Sequence, residues 1–231
     1  MGCSSGPDVV EDGLVLCLDA GSKRSYPGTG TTWTDTVGGN DGTLTNMDAS
    51  NFSADNGGSL SFDGTNERVN FGNVLNISGE ISISSWVKVD VFPAGSDRGL
   101  IVSKGYDGTD EAYHLGFAGG SLLRFYTFNR TLGIRGVVYT HSLSVSRWYN
   151  IAGTFDGSTW TVYVDSDSVD SINDSTALRV TSQPLIIGAS SLSGSVSRFF
   201  DGSIASTSIY NRALTADEIR RNYLSTKERY Q

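Results

Sequence analysis

Residues 202–219 constrain what this chain can fold into more than any other part of the sequence. We predict a β-strand over residues 202–210, in which successive side chains point to opposite sides. Thr215 is followed three residues later by Glu218, which is the spacing of a capping box at the start of a helix. A strand that runs straight into a short capped helix is a specific combination at the end of a β-rich chain. It predicts how the chain closes its fold.

The rest of the chain alternates short strands with turns. Residues 81–86 alternate between two faces, which is typical of a strand in a sheet. Residues 148–155 and 159–164 are joined by a turn that contains Asp156-Gly157, and Asp-Gly supplies the positive φ that a tight hairpin needs. Strands recur at a spacing of roughly 8–15 residues. This spacing predicts an all-β protein, a two-sheet antiparallel jelly roll with one short C-terminal helix near residues 215–224.

The length and continuity of the chain predict one domain. A β-sandwich of 231 residues still forms a single domain, and we find neither an internal repeat nor a linker. We therefore predict one jelly-roll domain over residues 13–231, preceded by an N-terminal tail at residues 1–12 that is a candidate docking arm. We expect the strand at residues 13–19 to pair near the closing strand at residues 202–210.

Charge and hydropathy limit the partners of the protein. The formal net charge is -8 at pH 7, so the surface repels phosphate backbones and we expect no nucleic-acid binding. No run of about 18 apolar residues is present, so we expect no membrane insertion. The N-terminal sequence does not fit the myristoylation pattern, because Gly6 stands where Ser or Thr is required.

The two cysteines do not form a disulfide framework of the kind that small secreted domains use. Cys17 lies in the apolar run 14–18, which predicts a strand that is buried on both faces, where Cys17 is a small hydrophobic residue. Cys3 lies in the N-terminal tail. A bridge between Cys3 and Cys17 is the less favoured alternative, because their environments differ.

Five segments that follow one another in this order resemble those of laminin-G-like domains of the concanavalin-A-like class. The segments are Gly13-Leu-Val-Leu-Cys-Leu-Asp-Ala20, Ser61-Phe-Asp-Gly-Thr-Asn66, Ile81-Ser-Ile-Ser-Ser-Trp-Val87, Trp148-Tyr-Asn-Ile-Ala-Gly-Thr-Phe-Asp-Gly157 and residues 200–219. A narrower resemblance, carried by residues 13–20 and 25–33, is to laminin-G-like proteins of tailed bacteriophages. That resemblance implies a place on the virion surface, in a capsid decoration or a tail appendage.

The resemblance also implies a Ca²⁺ site at the rim of the sandwich. Calcium takes six to eight hard oxygen ligands, and the turn after residue 62 offers Asp63, Asn66 and Glu67 as candidate ligands. The family often has two acidic residues where this chain has Ala205 and Ser206, so one expected part of the site is missing. The alternative is that this segment is only a hairpin turn.

The sequence does not predict an enzyme. Glucanases of the wider fold use paired carboxylates, in a Glu-x-Asp-x-Glu pattern on one strand, and no such pattern occurs here. Asp165 and Asp167 have a suitable spacing, but they lie at a strand end that predicts a solvated turn. His114 and His141 have no nucleophile motif beside them. We therefore expect no catalytic residues.

Sugar binding needs exposed aromatic rings and polar side chains that orient the sugar. Trp86, Trp148 and Trp160 are expected to be core residues, because aromatic alternation in a sandwich mostly reflects packing. Two groups elsewhere are candidates, one on a loop and one on a strand. The candidate glycan-binding residues are Tyr106, Asp107, Tyr113, Arg124, Tyr126 and Asn129.

These observations favour a non-enzymatic structural protein of the virion surface, with a glycan-binding or host-adhesion role. Its expected partners are other virion proteins, through residues 1–12, and glycans of a host surface. The first alternative is a free, calcium-dependent lectin or adhesion module that acts outside the cell. The second alternative, a glycoside hydrolase, is disfavoured by the missing pair of acidic residues.

Overall fold

A computed structural model describes residues 9–95, 97–106, 110–129, 131–192 and 195–230, and these residues form two stacked β-sheets. Eight strands form the first sheet, which we call sheet A, in the order β14-β13-β12-β7-β18-β5-β4, with β1 beside β18. The strands of sheet A are β1 (Leu14–Asp19), β4 (Phe52–Ser53), β5 (Ser59–Asp63), β7 (Ile81–Val89), β12 (Trp148–Phe155), β13 (Thr159–Val164), β14 (Asp167–Asn173) and β18 (Asp201–Tyr210).

Ten strands form the second sheet, which we call sheet B. Its main order is β11-β10-β9-β8-β15-β6-β3-β2, and β16 and β17 form a hairpin that joins β8. The strands of sheet B are β2 (Thr32–Trp33), β3 (Gly42–Thr45), β6 (Arg68–Asn70), β8 (Arg98–Tyr106), β9 (Asp110–Ala118), β10 (Leu122–Asn129), β11 (Gly133–Thr140), β15 (Leu185–Ile187), β16 (Ser190–Leu192) and β17 (Ser195–Ser197). Apart from one parallel contact between β16 and β8, the pairings are antiparallel.

The predicted fold class is confirmed. The two sheets form a sandwich, and the α-helix of the described residues, α1 (Ala216–Thr226), lies near the C-terminus, where a helix was expected. The first strand pairs with the closing strand, with Leu16 opposite Ile209. The predicted hairpin is formed by β12 and β13. Short 3-10 helices occur at Ala49–Asn51, Asp55–Gly57 and Lys227–Arg229.

The core between the sheets is apolar and closely packed. The Trp160 ring stacks on the Phe155 ring, with 4.2 Å between the ring centroids. It also meets the Phe125 ring of sheet B edge-on, with 5.0 Å between the centroids, so side chains of both sheets are in contact there. Gly153 of β12 faces the Phe125 ring of β10, and a Cβ at residue 153 would lie 2.5 Å from that ring. The missing side chain at Gly153 therefore allows an aromatic ring of sheet B to approach sheet A closely.

The C-terminal segment covers the outer face of sheet A. Trp86 stacks against Tyr230, with 4.4 Å between ring centroids, and its Nε1 donates to the Thr226 hydroxyl at 2.8 Å. Trp148 packs against the same Tyr230 ring. The three tryptophans that were expected to be core residues are buried, but Trp86 and Trp148 lie beneath the C-terminal segment and not between the sheets.

The N-terminal tail joins the same layer. Residues 1–8 lie outside the described part of the chain, but Val10 is buried, its N–H donates to Asn222, and its carbonyl accepts from the Tyr210 hydroxyl. The C-terminal part of the candidate docking arm is therefore fixed to its own domain. No helix of the described residues is long and apolar enough to cross a membrane.

Cys17 is fully buried in β1, as its apolar surroundings predict. The favoured interpretation, in which Cys17 is a small hydrophobic residue without a bridge, is wrong, because this residue is disulfide-bonded. The second cysteine of the chain, Cys3, lies outside the described residues. The backbone of Cys17 is also hydrogen-bonded, since its N–H donates to the Asp35 carboxylate at 2.9 Å.

Candidate functional site

A cleft of about 530 Å³ opens at one rim of the sandwich. We call it the rim cleft. It lies where three connections meet, the β5–β6 turn, the β7–β8 loop and the short link from β17 to β18. These connections contribute Gly64, residues 91–94 with Asp97, and residues 198–200. Its volume falls within the range of about 300–1,000 Å³ that is typical of small-ligand sites. The rim cleft is therefore the candidate binding site of this protein.

Backbone hydrogen bonds tie these connections together. The Gly64 N–H donates to the Phe200 carbonyl at 3.1 Å, and the Leu100 N–H donates to the Arg198 carbonyl at 3.2 Å. Gly64 has a φ of +67°, and a Cβ there would lie 2.9 Å from the Asp201 side chain. Arg198 also has a positive φ, of 60°, which is uncommon for a residue with a side chain. The cleft walls are thus held by the ends of strands and are largely pre-formed.

Aromatic side chains supply the apolar surface of the cleft. Phe117 and Phe200 are almost fully buried, whereas Phe92 and Phe199 are half-buried and keep part of their rings exposed. The Phe92 ring lies edge-on to Phe117, with 5.2 Å between the centroids. Half-exposed rings held by a buried aromatic neighbour present a fixed apolar surface, and the apolar faces of a sugar ring can pack on such a surface.

Charged side chains complete the lining. Arg98, Arg198, Asp97 and Asp201 are among the residues that line the cleft. Burial, together with the nearby carboxylates of Asp90 and Asp63, raises the pKa of Asp201 above its ordinary value. Donors of fixed charge and carboxylate acceptors around an apolar surface match the hydroxyl groups of a sugar, which both donate and accept hydrogen bonds.

Arg98 connects the cleft to a buried polar cluster on sheet B. Its NH1 donates to the Tyr126 hydroxyl at 2.8 Å, and the His114 ring stacks on Tyr126 with 5.0 Å between centroids. His114 Nε2 in turn lies 3.3 Å from Glu111 Oε2, with both side chains fully buried. Burial, and then the positive charge of Arg98, lower the pKa of His114 to about 3. This cluster holds one donor of the cleft in place.

The predicted calcium ligands form a self-contained turn. Asp63 Oδ1 accepts the N–H groups of Thr65 and Asn66 at 2.8 and 3.0 Å. Glu67 accepts the Asp63 N–H at 2.8 Å through one oxygen and the Asn51 side-chain N–H at 2.8 Å through the other. Burial raises the pKa of Glu67, and the nearby Asp63 carboxylate adds to this rise.

These oxygens are therefore engaged in holding the turn. In the described part of the chain, no group of three or more His, Cys, Asp or Glu residues could hold a metal ion. Ala205, which stands where the family often has an acidic residue, is buried in the aromatic cluster with Trp86 and Tyr230. Calcium binding at this turn stays a prediction.

The structure does not bring the predicted glycan-binding residues together. Tyr113 of β9 faces the core, and its hydroxyl donates to the Leu75 carbonyl, whereas Tyr126 of β10 lies on the opposite face of sheet B. Both rings are fully buried. The prediction that Tyr113 and Tyr126 stack on a sugar is therefore wrong, because neither ring is exposed.

The other candidates are scattered. Arg124 and Asn129 are half-buried on β10, and burial and the nearby Arg98 lower the pKa of Arg124. Asn129 Oδ1 accepts the N–H groups of residues 131 and 132, so its side chain organises a turn. Tyr106 ends β8, and Asp107 lies outside the described residues. Of the candidates whose side chains the structure describes, Tyr113, Arg124, Tyr126 and Asn129 do not line the rim cleft.

The residues that do line the cleft were missed from sequence. Phe92, Arg98, Arg198 and Phe199 lie in connections and strand ends, where no periodic pattern distinguishes a binding residue from a packing residue. One local signal was available, since Phe199-Phe200 puts two large apolar residues next to each other directly before a predicted strand. The second ring is buried there and the first is left partly exposed.

A match to a family model shows which protein family this chain belongs to. The model Laminin_G_3, described as the concanavalin A-like lectin/glucanases superfamily, matches residues 63–220, which is more than half of the chain. The chain belongs to this family. The Laminin_G_3 match includes the β5–β6 turn, the β7–β8 loop, the link from β17 to β18 and the start of α1. The fold is thus of a lectin-like, carbohydrate-binding type. No curated protein matches the chain.

Solved structures resemble this Laminin_G_3 domain in fold. The Trypanosoma rangeli sialidase in complex with sialic acid aligns with a TM-score of 0.66 at 18% identity, over 97% of this chain and 35% of that one. The receptor binding domain of botulinum neurotoxin type G aligns with a TM-score of 0.66 at 13% identity, over 92% and 51% of the two chains. The binding domain of Paraclostridial Mosquitocidal Protein 1 aligns with a TM-score of 0.65 at 15% identity, over 91% and 52%. The chain thus spans a third to a half of these longer proteins.

Proposed function

We propose that this protein is a non-catalytic glycan-binding module that holds its sugar in the rim cleft. The observation that carries the proposal is the lining of the cleft. Half-exposed rings of Phe92 and Phe199 lie beside two arginines and two aspartates, in a domain of a lectin family. A sugar ring would pack its apolar C–H groups on these phenyl rings, while its hydroxyls bond to the charged groups.

A role at the surface of a virus particle is the finer part of the proposal. It is supported by the resemblance of residues 13–20 and 25–33 to laminin-G-like proteins of tailed bacteriophages. In that setting, many copies of a weak glycan site would act together, because linked copies raise the overall avidity without any new contact. The partners would be other virion proteins and glycans of a host surface.

The binding proposal is tested by a glycan array with matched variants. Phe199→Ala removes a half-exposed ring of the cleft and is expected to weaken binding to the best glycan by about tenfold or more. Leu224→Ala is the control, since Leu224 is an exposed apolar residue on α1, away from the cleft. Equal binding by the two variants, or no glycan binding by the unaltered protein, would contradict the proposal.

A calcium-dependent lectin is the first alternative. At the β5–β6 turn, which the family resemblance suggests as a calcium site, the oxygens of Asp63 and Glu67 already accept hydrogen bonds that hold the turn, so we propose that glycan binding does not require calcium. The array is repeated after treatment with a chelator. Loss of binding in the chelator, restored by added calcium, would favour the alternative.

Glycoside hydrolysis is the second alternative, and one observation favours it. Asp97 and Asp201 line the same cleft, and the raised pKa of Asp201 is a property of catalytic acids. The other spaced pair lies at a tight turn. Asp165 and Ser166 form this turn with positive φ, and Asp167 begins the next strand, β14. Release of sugar from a bound polysaccharide, abolished by Asp201→Asn, would establish hydrolysis and overturn the non-catalytic proposal.

The virion proposal needs its own experiment. Particles purified from an infected culture are analysed for the protein, and its copies are located in a reconstruction of the particle. Copies in symmetric positions on the surface are expected. A protein that is made during infection but is absent from purified particles would refute the virion role and leave the glycan-binding proposal standing.

A further inference from the structure

A second groove lies on the outer face of sheet A, away from the rim cleft. We call it the sheet A groove. Its floor is one row of side chains across four neighbouring strands, because Ser61 pairs with Ser203, Ser203 pairs with Lys88, and Lys88 pairs with Trp148. Cross-strand partners point to the same face of a sheet. The register of β5, β18, β7 and β12 therefore places three polar side chains and one indole side by side.

One wall of the groove comes from the segment before β5. This segment, residues 50–56, lines the groove with the polar side chains of Asn51, Asp55 and Asn56. Asn51 is itself fixed, since its side-chain N–H groups donate to the Ser61 carbonyl and to Glu67. Asn56 has a φ of 50°, so the backbone at the lip is in the left-handed region. The enclosed volume is about 180 Å³, which is smaller than a typical drug-sized site.

Several polar groups that line the groove make no hydrogen bond to the protein. The side-chain hydroxyls of Ser59 and Ser203, both in the lining, make no hydrogen bond within the described residues, although both residues are buried. Trp148 is 9% exposed, and its Nε1–H has no hydrogen-bond partner. A buried donor without a partner is costly, by about 1–3 kcal/mol. Trp148 also lines the polar groove, so an acceptor on a ligand bound there would satisfy this donor.

Lys88 adds a positive charge at the same point. Its ammonium lies over the Trp148 ring, 5.6 Å from the ring centroid, and Asp55 also lines the groove. The lysine side chain is flexible and half-buried, so a small rotation moves its ammonium toward a ligand and uncovers the indole. The donors Lys88 and Trp148 therefore converge on one end of the groove, and hydroxyl-binding groups occupy the remainder.

We infer that the sheet A groove is a binding site for one acidic sugar residue. Its carboxylate accepts from the Lys88 ammonium and the Trp148 indole, and its hydroxyls bond to Ser203, Ser59 and Asp55. A carboxylate suits this end of the groove, because both available groups there are donors and one is charged. The site shares no residue with the rim cleft, so it goes beyond the proposed function and does not depend on that cleft.

The test follows the indole N–H signals of the ¹⁵N-labelled protein by NMR during titration with D-glucuronate. The Trp148 signal is identified as the one that Trp148→Phe removes. We expect a saturable shift of this signal, which D-glucose and sodium chloride at equal ionic strength do not cause. Lys88→Met keeps the aliphatic stem and removes the charge, so binding should weaken about tenfold. Lys23→Met, at an exposed lysine elsewhere, should leave the affinity unchanged.

Separate outcomes keep the two sites distinguishable. If Trp148→Phe does not fold, the backbone N–H of Ser203 serves as the reporter, and the Lys88→Met comparison is unaffected. Phe199→Ala should weaken rim-cleft binding on the array and leave the glucuronate shift at Trp148 intact. The inference is overturned if D-glucuronate causes no saturable shift at Trp148 or Ser203, or if Lys88→Met binds D-glucuronate as tightly as the unaltered protein.

Discussion

At the scale of single residues, one carboxylate connects the closing strand to the helix. Glu218 accepts the Thr215 N–H at 2.8 Å in the predicted capping box, which the structure confirms. The same carboxylate forms a two-point ion pair with the Arg212 guanidinium, at 2.6 and 2.9 Å. The hydrogen bonds from Arg212, ahead of the backbone bond from Thr215, lower the pKa of Glu218 to about 2.

This shift predicts a pH-dependent contribution to stability. A carboxyl group whose pKa falls on folding stabilises the folded state above its ordinary pKa of 4.5, and that stabilisation is lost as the pH falls toward about 2. Glu218→Gln should lower the free energy of unfolding at pH 7 by about 1 kcal/mol. Urea denaturation of both proteins from pH 7 to pH 2 measures the difference. A difference that stays constant across this range would contradict the prediction.

At the scale of elements, the C-terminal segment acts as a cover for sheet A. The Tyr230 ring stacks on Trp86 and packs against Trp148, and all three are buried together with Ala205. Arg229 forms a two-point ion pair with Asp19 of β1, at 2.9 and 2.7 Å, and so ties the same segment to the first strand. The end of the chain is thus bound to the sheet by aromatic packing and by charge.

Removal of this one ring should therefore be costly. Tyr230→Ala leaves a cavity above two tryptophans, and we expect the free energy of unfolding to fall by about 3 kcal/mol. Tyr230→Phe keeps the ring and should cost less than about 1 kcal/mol. Thermal unfolding followed by tryptophan fluorescence reports on both variants. Equal stability of the two variants would show that the ring does not anchor the segment.

At the scale of the whole molecule, the domain should be stable without a metal ion. The oxygens of Asp63 and Glu67 at the β5–β6 turn are used by backbone and amide N–H groups. An ion that binds the folded state raises the midpoint of unfolding. We expect the midpoint to be the same in millimolar calcium and in excess chelator. A rise in calcium would contradict this, and its loss in Asp63→Ala would place the ion at the turn.

Much of the architecture followed from local patterns. The β12–β13 hairpin and the capping box at Thr215 were predicted from spacing over a few residues, and the pairing of β1 with β18 was expected from the jelly-roll architecture that the strands implied. Tyr113 and Tyr126 were both predicted to be exposed, because polar residues such as His114 and Arg124 stand near them in the sequence, but both rings are buried. Strand pairing alone determined that one ring enters the core and the other does not.

The sequence by itself determined the strands, the closing helix and the family of this protein, because alternation, turn chemistry and helix capping act between residues close together in the chain. The tertiary structure decided where ligands can bind. The rim cleft joins Phe92 to Phe199, and the sheet A groove joins Ser61 to Ser203 and Trp148. These side chains meet only because distant strands pair in one register, and hydrophobic burial of the whole sandwich stabilises that register.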